Sequence, residues 1–500
     1  MTLPYPKHRT LSPNEEKLIQ KAYEYTVSAH QGQMRKSGEP YANHCLETAK
    51  TIAEWKLDTE VIVAALLHDT VEDTSKTLEE VKKEFGEEIA FLVDGVTKLG
   101  HFKYREQNKE WALEKNRSEN FRKLILALSE DIRVVFIKLA DRLHNMKTLS
   151  FLPSEKQKRI ALETYDVYAS LAYRLGMTKL AGEMEDLSLP YLHPEDYKWL
   201  LEHVPEQFEE REEYLKKVKE KLEKHLRENN ISAVSVSFRA KRYSSIYKKL
   251  KKYEMNLDQI YDLVAMRVIV QTTEDCYKTL GLIHELWKPL PGKIKDYIAL
   301  PKPNNYRSIH TTVFCEEDKI TEFQIRTNKM NEEAEHGIAA HWAYELKKES
   351  KSYANRKAVF ADKKEIAWIK QLKNWQEKEG QSEEEFFDAL KIDFFKDRIF
   401  AVTPKGDVID LPHGATPIDF AYHIHSGVGN QAVGAKVNGK IAPLSRELKS
   451  GDIVEIMIQK GKKPSEDWLK FTKTTIARDH IKSELRKGSL LHRFNLKKKN

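Results

Sequence analysis

The sequence predicts a multidomain fold with three folded parts: an all-α part, an α/β part and a small β-rich part. The first observation is length, because 500 residues are too many for one ordinary domain. The second is that apolar residues recur at helical spacing up to about residue 195. The third is a change to short β-rich segments after residue 231, which resumes after residue 393.

The composition is typical of a globular protein that can bury hydrophobic cores, with 40% hydrophobic and 32% charged residues. We predict a cytoplasmic protein with no membrane segment, because no apolar run approaches the length of a membrane span and the N-terminus has no apolar signal core. The three cysteines, Cys45, Cys276 and Cys315, lie far apart without a CxxC pair, which argues against a disulfide framework and against a cysteine zinc site.

Residues 1–195 form the predicted helical domain. Apolar positions recur at helical spacing in EEKLIQKAYEYTVSAH, in ENFRKLILALSEDIRVVFIKLADRLHNM and in ALETYDVYASLAYRLGM. Residues 196–230 follow as a highly charged helix, which we interpret as a connector with a solvated charged face.

Residues 231–345 form the predicted α/β domain. The segments SAVSVSF, DLVAMRVIV, HTTVFC and KITEFQIRT are typical of strands, and YKTLGLIHELW between them is typical of a helix. A second charged helical linker is predicted at residues 346–392.

Residues 393–460 form the predicted β-rich domain. Pro-Lys-Gly-Asp lies at the turn of one predicted hairpin and Asn438-Gly439 at the turn of another. Residues 461–500 form a basic tail, predicted to begin a helical region; from Lys460 onward the chain has 13 Lys and Arg against 4 Asp and Glu. This charge favours binding to a polyanion such as RNA, and it is equally typical of a solvated, partly disordered terminus.

The helical domain carries residues that could bind a metal ion. His44 ends the stretch RKSGEPYANH, and Asp141 lies in KLADRLHNM. The adjacent His68 and Asp69 end an apolar helix. Imidazole nitrogens together with carboxylate oxygens suit a divalent metal such as Mn²⁺, Fe²⁺ or Zn²⁺. Ligands from separate helices can converge in a bundle core, where the metal would lower the pKa of a bound water.

Two further carboxylates, Glu72 and Asp73, follow Asp69 by three and four residues, which places them one helical turn further on the same side. They could orient the attacking water or protonate a leaving group without binding the metal. An isolated His-Asp pair occurs by chance in many proteins, so the prediction depends on all the spaced elements together.

The α/β domain carries a second predicted site, for polyphosphates. Residues 239–253 include seven Lys or Arg, which is typical of a solvated basic helix as well as of a phosphate clamp. Glu322, Gln324 and Arg326 share one face of a predicted strand, which favours a polar site, although a half-exposed sheet gives the same pattern. If Asp262 lies on a neighbouring strand, it could share Mg²⁺ with Glu322.

A loop between these strands, PGKIKDYIALPKPNNYRSIHTTV, contains more candidate ligands. Lys293, Lys295 and Lys302 could bind phosphates. Tyr306 could stack on a base, and His310 follows it.

The stretches AHQGQMRKSGEPYANH, LLHDTVEDT, VTKLG and IKLADRLHNMKTL resemble the hydrolase domain of the RelA/SpoT homologue family, long Rel-type enzymes that make and degrade the alarmone (p)ppGpp. The resemblance implies an all-α, HD-type domain that removes pyrophosphate from the ribose 3′ position. It also implies roles for individual residues. Mn²⁺ would be held by His44, His68, Asp69 and Asp141, and the attacking water would be oriented by Glu72 and Asp73. The guanosine would be bordered by Arg35, Lys36 and Ser37, and the nucleotide would lie near Asn145 and Thr148.

The α/β domain resembles the synthetase domain of the same family, whose nucleotidyltransferase-like sheet transfers the β,γ-pyrophosphate of ATP to the 3′-hydroxyl of GDP or GTP. The resemblance implies that Asp262 and Glu322 hold Mg²⁺ and that Glu322 activates the hydroxyl. Tyr306 would stack on guanine beside Asn304, and Arg239 would lie near adenine. The phosphates would be surrounded by Lys241, Ser245, Lys249, Lys295, Lys302 and His310.

Three positions depart from the family pattern. Lys293 replaces the first Arg of an R-x-K-D loop, which keeps the charge but loses the planar guanidinium. Asn305 replaces the Gly of an N-G-Y turn, and Asn tolerates the left-handed conformation better than most residues. Arg242 stands where His is common. These departures bear on nucleotide preference and synthetic rate more than on the type of reaction.

The β-rich domain resembles a TGS domain, a small β-grasp unit that meets the acceptor end of tRNA in long Rel enzymes. The resemblance implies a contact between His425 and uncharged tRNA, and binding to the ribosome through this domain and the basic tail. A packed helical His425 is the alternative.

We therefore predict a bifunctional (p)ppGpp hydrolase and synthetase with Mn²⁺ in one site and Mg²⁺ in the other, under reciprocal control through the connector and the C-terminal part. A hydrolase with a weak synthetase site is one alternative, because of Lys293 and Asn305. A tRNA- or ribosome-binding regulator with vestigial sites is another, because of the basic tail.

Overall fold

The structure, a computed structural model, describes residues 2–100, 124, 127, 130–251, 254–256, 264–302, 304–316, 319–340 and 398–497. The chain forms two compact units, Met1–Glu377 and Lys378–Asn500. Within the described residues, no helix combines the length and the apolar character needed to span a lipid bilayer. The predicted metal ligand Asp262 and the predicted linker at 346–392 lie outside the described residues.

The first unit begins with a helical region, as its sequence periodicity predicts. Its helices are α1 (Pro13–Ala29), α2 (Tyr41–Glu54), α3 (Thr59–Leu67), α4 (Thr70–Asp73), α5 (Leu78–Phe85), α6 (Glu87–Gly100), α7 (Ile132–Lys147), α8 (Ser154–Glu163), α9 (Ser170–Arg174) and α10 (Thr178–Leu192). A 3₁₀ turn at Leu149–Phe151 precedes α8, and a π-helical stretch at Thr164–Ala169 follows it.

Local side chains explain where these helices begin. Ser12 and Glu15 form a reciprocal capping box at the start of α1. Asp58 accepts a hydrogen bond from the backbone N–H of Val61 at the start of α3. Apart from Glu60, every side chain of α3 is buried, and the helix packs against α1, α2 and α6. The central helix of this region therefore ends at His68 inside the protein.

The second part of the unit is a mixed sheet. Its strands are β1 (Ser235–Ala240), β2 (Val264–Val270), β3 (Lys288–Pro289), β4 (Lys295–Asp296), β5 (Ile309–Phe314) and β6 (Ile320–Thr327), and its helices are α11 (Pro194–Glu228), α12 (Tyr243–Leu250), α13 (Thr273–Leu286) and α14 (Asn328–His336). The strand order is β1-β2-β6-β5-β3, with β4 also paired to β5. The β2–β6 pair is parallel and aligns Ala265 with Glu322, whereas the other pairs are antiparallel.

Helix α11 covers the predicted connector at 196–230 as far as Glu228, and it also belongs to the sheet domain. Tyr214, Val218 and Leu222 are buried in the same core as strand residues such as Phe323 and Ile325. The burial of this apolar face is worth about 25 cal/mol per Å² of apolar surface removed from water. The helix therefore stabilises the sheet and is more than a spacer.

The second unit is built on two small sheets. Its strands are β7 (Arg398–Val402), β8 (Val408–Pro412), β9 (Ala432–Val437), β10 (Lys440–Ala442) and β11 (Val454–Ile458), and its helices are α15 (Pro417–Ile424), α16 (Ser426–Asn430) and α17 (Thr475–Lys497). β7 pairs with β8, and β9 lies between β10 and β11, all antiparallel. Both predicted hairpin turns are present, and Asn438 and Gly439 have φ angles of 53° and 78°, which the two-residue turn requires.

The basic tail packs onto this unit at its beginning. Trp468, Ala477 and Ile481 are buried together with Ile418 and Tyr422 of α15. The described side chains up to residue 486 therefore form a folded extension of the β-rich domain, which differs from the solvated terminus that charge alone permits.

Candidate functional site

The candidate metal centre lies where α2, α7 and the end of α3 meet. α2 carries His44, α7 carries Asp141, and the α3–α4 junction carries His68 and Asp69. His44, His68 and Asp141 are buried and their ligand atoms lie within 4.8 Å of one another. The fourth predicted ligand, Asp69, places Oδ2 at 3.4 Å from His44 Nε2 and at 3.2 Å from His68 Nε2.

Hydrogen bonds orient the donor atoms of this cluster inward. The Nδ1–H of His68 donates to the carbonyl oxygen of Ala65 at 2.8 Å, so in the neutral ring Nε2 carries the free lone pair. His68 Nε2 is buried and has no aligned hydrogen-bond partner among the described residues. Imidazole nitrogens that face carboxylate oxygens in a buried pocket are a donor set that fits a divalent cation, and the residues that would hold it are His44, His68, Asp69 and Asp141.

Asp141 is held by two further side chains of α7. Lys138 Nζ lies 2.7 Å from Oδ2, and the side-chain amide of Asn145 donates to Oδ1 at 2.5 Å. Burial alone would raise the pKa of Asp141, but Lys138 and His44 hold that pKa well below its usual range. The carboxylate is therefore ionised at neutral pH and available to a cation.

The two carboxylates predicted to serve a water molecule lie on α4. The predicted single helix is interrupted, because the chain turns at His68 and Asp69 before α4 begins. Glu72 is half-buried and Asp73 is exposed. The hydroxyl of Tyr41 lies 2.7 Å from Asp73 Oδ2 and 3.1 Å from Asp69 Oδ2, which connects α4 to the candidate metal cluster.

The predicted nucleotide-binding loop faces the same cluster through Arg35. Arg35 Nη2 donates to Asn145 Oδ1 at 2.6 Å, and Nη1 donates to His144 Nδ1 at 3.1 Å. Lys36 is exposed, and the half-buried Ser37 has a hydroxyl without a hydrogen-bond partner among the described residues. The loop thus offers two cations and a donor beside the buried carboxylates.

Three residues of the cluster were not singled out from the sequence: Tyr41, Lys138 and His144. Burial and the neighbouring His44 and Arg35 lower the pKa of His144 to about 3, so its ring is neutral. His144 follows Asp141 by three residues, and this helical spacing was the available signal. Thr148, one turn further, donates its hydroxyl to the carbonyl of His144 at 3.3 Å.

The candidate polyphosphate site lies on one face of the mixed sheet. Adjacent strands align Lys295 with His310, and His310 with Gln324. His310 Nδ1 lies 3.2 Å from Glu322 Oε1, and its Nε2 lies 2.9 Å from the hydroxyl of Tyr306. The sheet therefore brings together four of the residues predicted for this site: Lys295, Tyr306, His310 and Glu322.

The charges of this face depend on its burial. Burial opposes ionisation of Glu322, but hydrogen bonds from His310 and Gln324 lower its pKa to about 2. Burial, aided by the charge of Lys295, lowers the pKa of Lys302 to about 8. Lys302 Nζ lies 4.8 Å from the ring centroid of Tyr297 and 5.1 Å from that of Tyr306. An anion beside Lys302 would favour its charged form.

The predicted basic segment lies at the edge of this face. Arg239 is on β1, and Lys241, Ser245 and Lys249 follow on the loop and helix beyond it, all partly exposed. Arg242, in contrast, is bound to the helical region, with Nη1 at 3.2 Å from Asp186 Oδ2.

Arg326 differs from the partly exposed polar residues of its strand, because it is 1% exposed. Its Nε and Nη2 groups have no hydrogen-bond partner among the described residues. Burial lowers the pKa of Arg326 to about 10, with Arg267 and Arg239 adding to that effect. A buried guanidinium with open donors is suited to an anionic ligand.

The Asn304–Tyr306 turn keeps its backbone geometry despite the missing glycine. Asn305 has a φ of 59°, in the left-handed region that Asn tolerates. Asn304 Oδ1 accepts from the N–H of Tyr306 at 3.3 Å, and its amide donates to the carbonyl of Tyr173 at 3.3 Å. The turn predicted to bind the base is therefore attached to the helical region.

His425 in the second unit is exposed. It follows α15, and its Nδ1 accepts a hydrogen bond from the N–H of Gly427 at 3.0 Å, capping α16. The side chain is accessible to a partner, unlike the packed helical alternative.

Comparison with protein families gives three matches in chain order. Residues 22–178 match an HD domain, residues 238–349 match a region found in RelA / SpoT proteins, and residues 399–458 match a TGS domain. The HD match contains all four predicted metal ligands, and the RelA / SpoT match contains Glu322 and the basic loop.

Two curated relatives are similar over most of this chain. A GTP pyrophosphokinase of Myxococcus xanthus is 48% identical over 477 residues, covering 95% of this chain and 61% of the relative. A guanosine-3′,5′-bis(diphosphate) 3′-pyrophosphohydrolase of Aquifex aeolicus strain VF5 is 47% identical over 477 residues, covering 95% and 65%. The chain thus spans less than two thirds of the length of either relative.

One solved structure, of a metazoan ortholog of SpoT that hydrolyses ppGpp, is 25% identical, with a TM-score of 0.25, and covers 36% of this chain and 88% of that chain. The three domains in this order, together with relatives at nearly half identity, have one explanation. The chain belongs to the RelA/SpoT homologue family.

Proposed function

We propose that the protein both degrades and makes (p)ppGpp. It hydrolyses the 3′-pyrophosphate of (p)ppGpp to GDP or GTP and pyrophosphate with Mn²⁺, and it transfers pyrophosphate from ATP to the 3′-hydroxyl of GDP or GTP with Mg²⁺. The observation that carries this proposal is the convergence of His44, His68 and Asp141 into one buried cluster with Asp69 beside it. The names of the two relatives, one for each reaction, support it.

In the hydrolase site, the chain's own residues bind the substrate and move protons. A divalent cation in the cluster would lower the pKa of a water molecule and make hydroxide available near neutral pH. Arg35 and Lys36 border the guanosine, and their charges offset those of the phosphates. Glu72 and Asp73, beyond the cluster, orient the water and return a proton to the 3′ oxygen as its bond to phosphorus breaks.

In the synthetase site, the residues bring two polyanions together. Lys295 and Lys302 offset the phosphate charge, and Tyr306 stacks on guanine. The ionised carboxylate of Glu322 accepts a hydrogen bond from the 3′-hydroxyl and would hold Mg²⁺ with Asp262. As Glu322 takes the proton of the 3′-hydroxyl, the 3′ oxygen attacks the β-phosphorus of ATP, the bond to the α-phosphate breaks, and AMP leaves.

The test is product analysis with Mn²⁺ and Mg²⁺ varied independently, using two crossed substitutions. Asp69→Asn should abolish pyrophosphate release from ppGpp and leave AMP formation from ATP and GDP unchanged. Glu322→Gln should do the reverse. If neither substitution changed nucleotide turnover, the proposal would be abandoned for both sites.

The same assay distinguishes the bifunctional enzyme from a hydrolase with a weak synthetase site, the alternative that Lys293 and Asn305 suggest. The left-handed φ of Asn305 favours a working base-binding turn, because the geometry that glycine usually supplies is kept. A wild-type chain that cleaves ppGpp but forms no AMP from ATP and GDP would support a silent synthetase.

We further propose that the second unit contacts uncharged tRNA through His425, and the ribosome through this unit and the basic tail. The exposure of His425 supports this, as does the excess of Lys and Arg after residue 460. His425→Glu should weaken binding of uncharged tRNA to the full chain, measured by filter binding at fixed salt. His413→Glu, also exposed and in the same unit, is the matched control.

A further inference from the structure

The two histidines of the metal centre are oriented by different acceptors. His68 donates its Nδ1–H to a backbone carbonyl, that of Ala65, at 2.8 Å. His44 has Nδ1 at 2.8 Å from Nδ1 of another imidazole, His144. Ligating histidines usually direct their second nitrogen to a carboxylate, a carbonyl or water, so a histidine acceptor calls for an explanation.

Arg35 decides the direction of the hydrogen bond between the two rings. Its Nη1 lies 3.1 Å from the same Nδ1 of His144, and a guanidinium can only donate. Nδ1 of His144 is therefore an acceptor without a proton. The contact with His44 then requires His44 to donate through Nδ1–H.

This direction fixes the other nitrogen of His44. In the neutral ring that coordination requires, the proton is on Nδ1 and Nε2 carries the lone pair that a cation would take. Nε2 is the atom that lies 3.2 Å from Asp141 Oδ1 and 3.4 Å from Asp69 Oδ2. The opposite tautomer would place a proton in the middle of the ligand cluster and prevent coordination.

We propose that His144 is a positioning residue that sets the tautomer and the ring orientation of His44 for cation binding. The inference rests on the proposed hydrolase site and adds a residue that touches neither the cation nor the reacting atoms. His144 is half-buried beside His44, with the two ring centroids 4.9 Å apart, so the contact is protected from water.

A second series of hydrogen bonds passes through Asn145, the residue after His144 in α7. Arg35 Nη2 donates to Asn145 Oδ1 at 2.6 Å, and Asn145 Nδ2 donates to Asp141 Oδ1 at 2.5 Å. Arg35 therefore reaches the ligand His44 through His144 and the ligand Asp141 through Asn145. The loop that borders the substrate and the cation ligands are held by one connected set of hydrogen bonds.

Two amide substitutions of His144 separate positioning from packing. In His144→Asn, the amide oxygen can occupy about the position of Nδ1 and accept from His44. In His144→Gln, the longer side chain displaces the amide from that position. His144→Leu fills the space without an acceptor.

The experiment measures Mn²⁺ binding to the full chain without nucleotide, from the electron paramagnetic resonance signal of free Mn²⁺. We expect His144→Leu and His144→Gln to weaken Mn²⁺ binding about 10–100-fold, the range seen when such orienting partners are removed. His144→Asn should recover most of the wild-type affinity. Thermal unfolding of each variant without metal checks that the fold is kept.

The outcomes distinguish this inference from the hydrolase proposal. If His144→Leu binds Mn²⁺ like the wild type, or if His144→Asn binds no better than His144→Leu, His144 has no positioning role. If the wild type does not bind Mn²⁺, or if His44→Ala binds it equally well, the metal centre itself is wrong, and both proposals fall.

Discussion

The backbone N–H of Ile338 donates a hydrogen bond to the carbonyl oxygen of Leu175 at 2.8 Å. Leu175 follows α9 of the helical region, and Ile338 follows α14, which continues directly from strand β6. The hydroxyl of Thr178 donates to the carbonyl of Ala334 at 2.5 Å beside it. The two parts that carry the proposed active sites are thus joined by one backbone and one side-chain hydrogen bond.

The contact between the helical region and the sheet part depends on Gly337. Its φ of 56° and ψ of −135° are open to glycine and strained for other residues. A Cβ there would lie 2.3 Å from Leu175 O and 2.4 Å from Gly176 C. We expect Gly337→Ala to lower the free energy of unfolding by about 2–4 kcal/mol, measured by urea unfolding followed by circular dichroism.

Gly281→Ala is the matched control for this substitution. Gly281 is exposed within α13, and a Cβ there meets nothing within 4 Å. Because alanine is the better helix former, this change should raise the stability by up to about 1 kcal/mol. Equal effects of the two substitutions would contradict the close approach at Gly337.

Lys302 should make nucleotide binding depend on pH. Its pKa of about 8 in the free protein means that the ammonium is lost as pH rises through 8, while phosphate binds the charged form. Between pH 7 and 8.5 the dissociation constant for GDP should rise about fourfold on this account. Isothermal titration calorimetry at constant ionic strength measures the change.

Lys302→Arg is the control, because a guanidinium stays charged throughout this range. In this variant the dissociation constant for GDP should depend less on pH, and the dependence that remains should come from the titration of GDP itself. If the arginine variant and the wild type weaken equally between pH 7 and 8.5, Lys302 is not the titrating group.

Arg133 should be essential to the stability of the helical region. It is fully buried, with Nη2 at 3.1 Å from Asp131 Oδ2 and Nη1 at 2.7 Å from Glu88 Oε1. Arg133→Met leaves the buried Asp131 without its partner and should cost about 3–5 kcal/mol in urea unfolding. Lys98→Met is the control, because it removes an exposed partner of Asp94 and should cost about 0–1 kcal/mol. If the two substitutions lowered the free energy of unfolding equally, the role of burial would be refuted.

Asp419 should attach α17 to the β-rich domain. Its buried carboxylate accepts hydrogen bonds from the N–H groups of Thr416 at 2.8 Å and of Thr474 at 2.7 Å. Asp419→Asn turns one acceptor into a donor facing other donors, at a cost of about 2–4 kcal/mol. Hydrogen exchange of α17 amides, read by mass spectrometry, should accelerate in this variant and not in the exposed control Asp467→Asn.

Much of the fold could be predicted because its signals are local. The apolar spacing in EEKLIQKAYEYTVSAH marks α1, and the alternation in ITEFQIRT marks β6. Asn438-Gly439 determines its turn through the left-handed conformation that both residues accept. The role of α11 in the sheet core was harder to predict from the sequence. A solvated charged helix and a helix with one buried face have similar sequences, and they differ mainly in whether another element covers the apolar face.

The candidate site was predicted unevenly. His68 and Asp69 are adjacent in the chain, whereas the other two predicted ligands, His44 and Asp141, come to them from separate helices. The contact of Tyr41 with Asp69 spans 28 positions in the chain, and no local pattern reports it.

The amino-acid sequence by itself determined which side chains could bind metal and phosphate, and which segments are helical or extended. Both follow from residue chemistry and from hydrogen bonds within a few residues. Only the tertiary structure decided how the donors are oriented: His144 lies 100 positions from His44 and 109 from Arg35, yet their nitrogens meet. Such contacts depend on how buried helices pack against one another, and the order of residues along any one helix does not specify them.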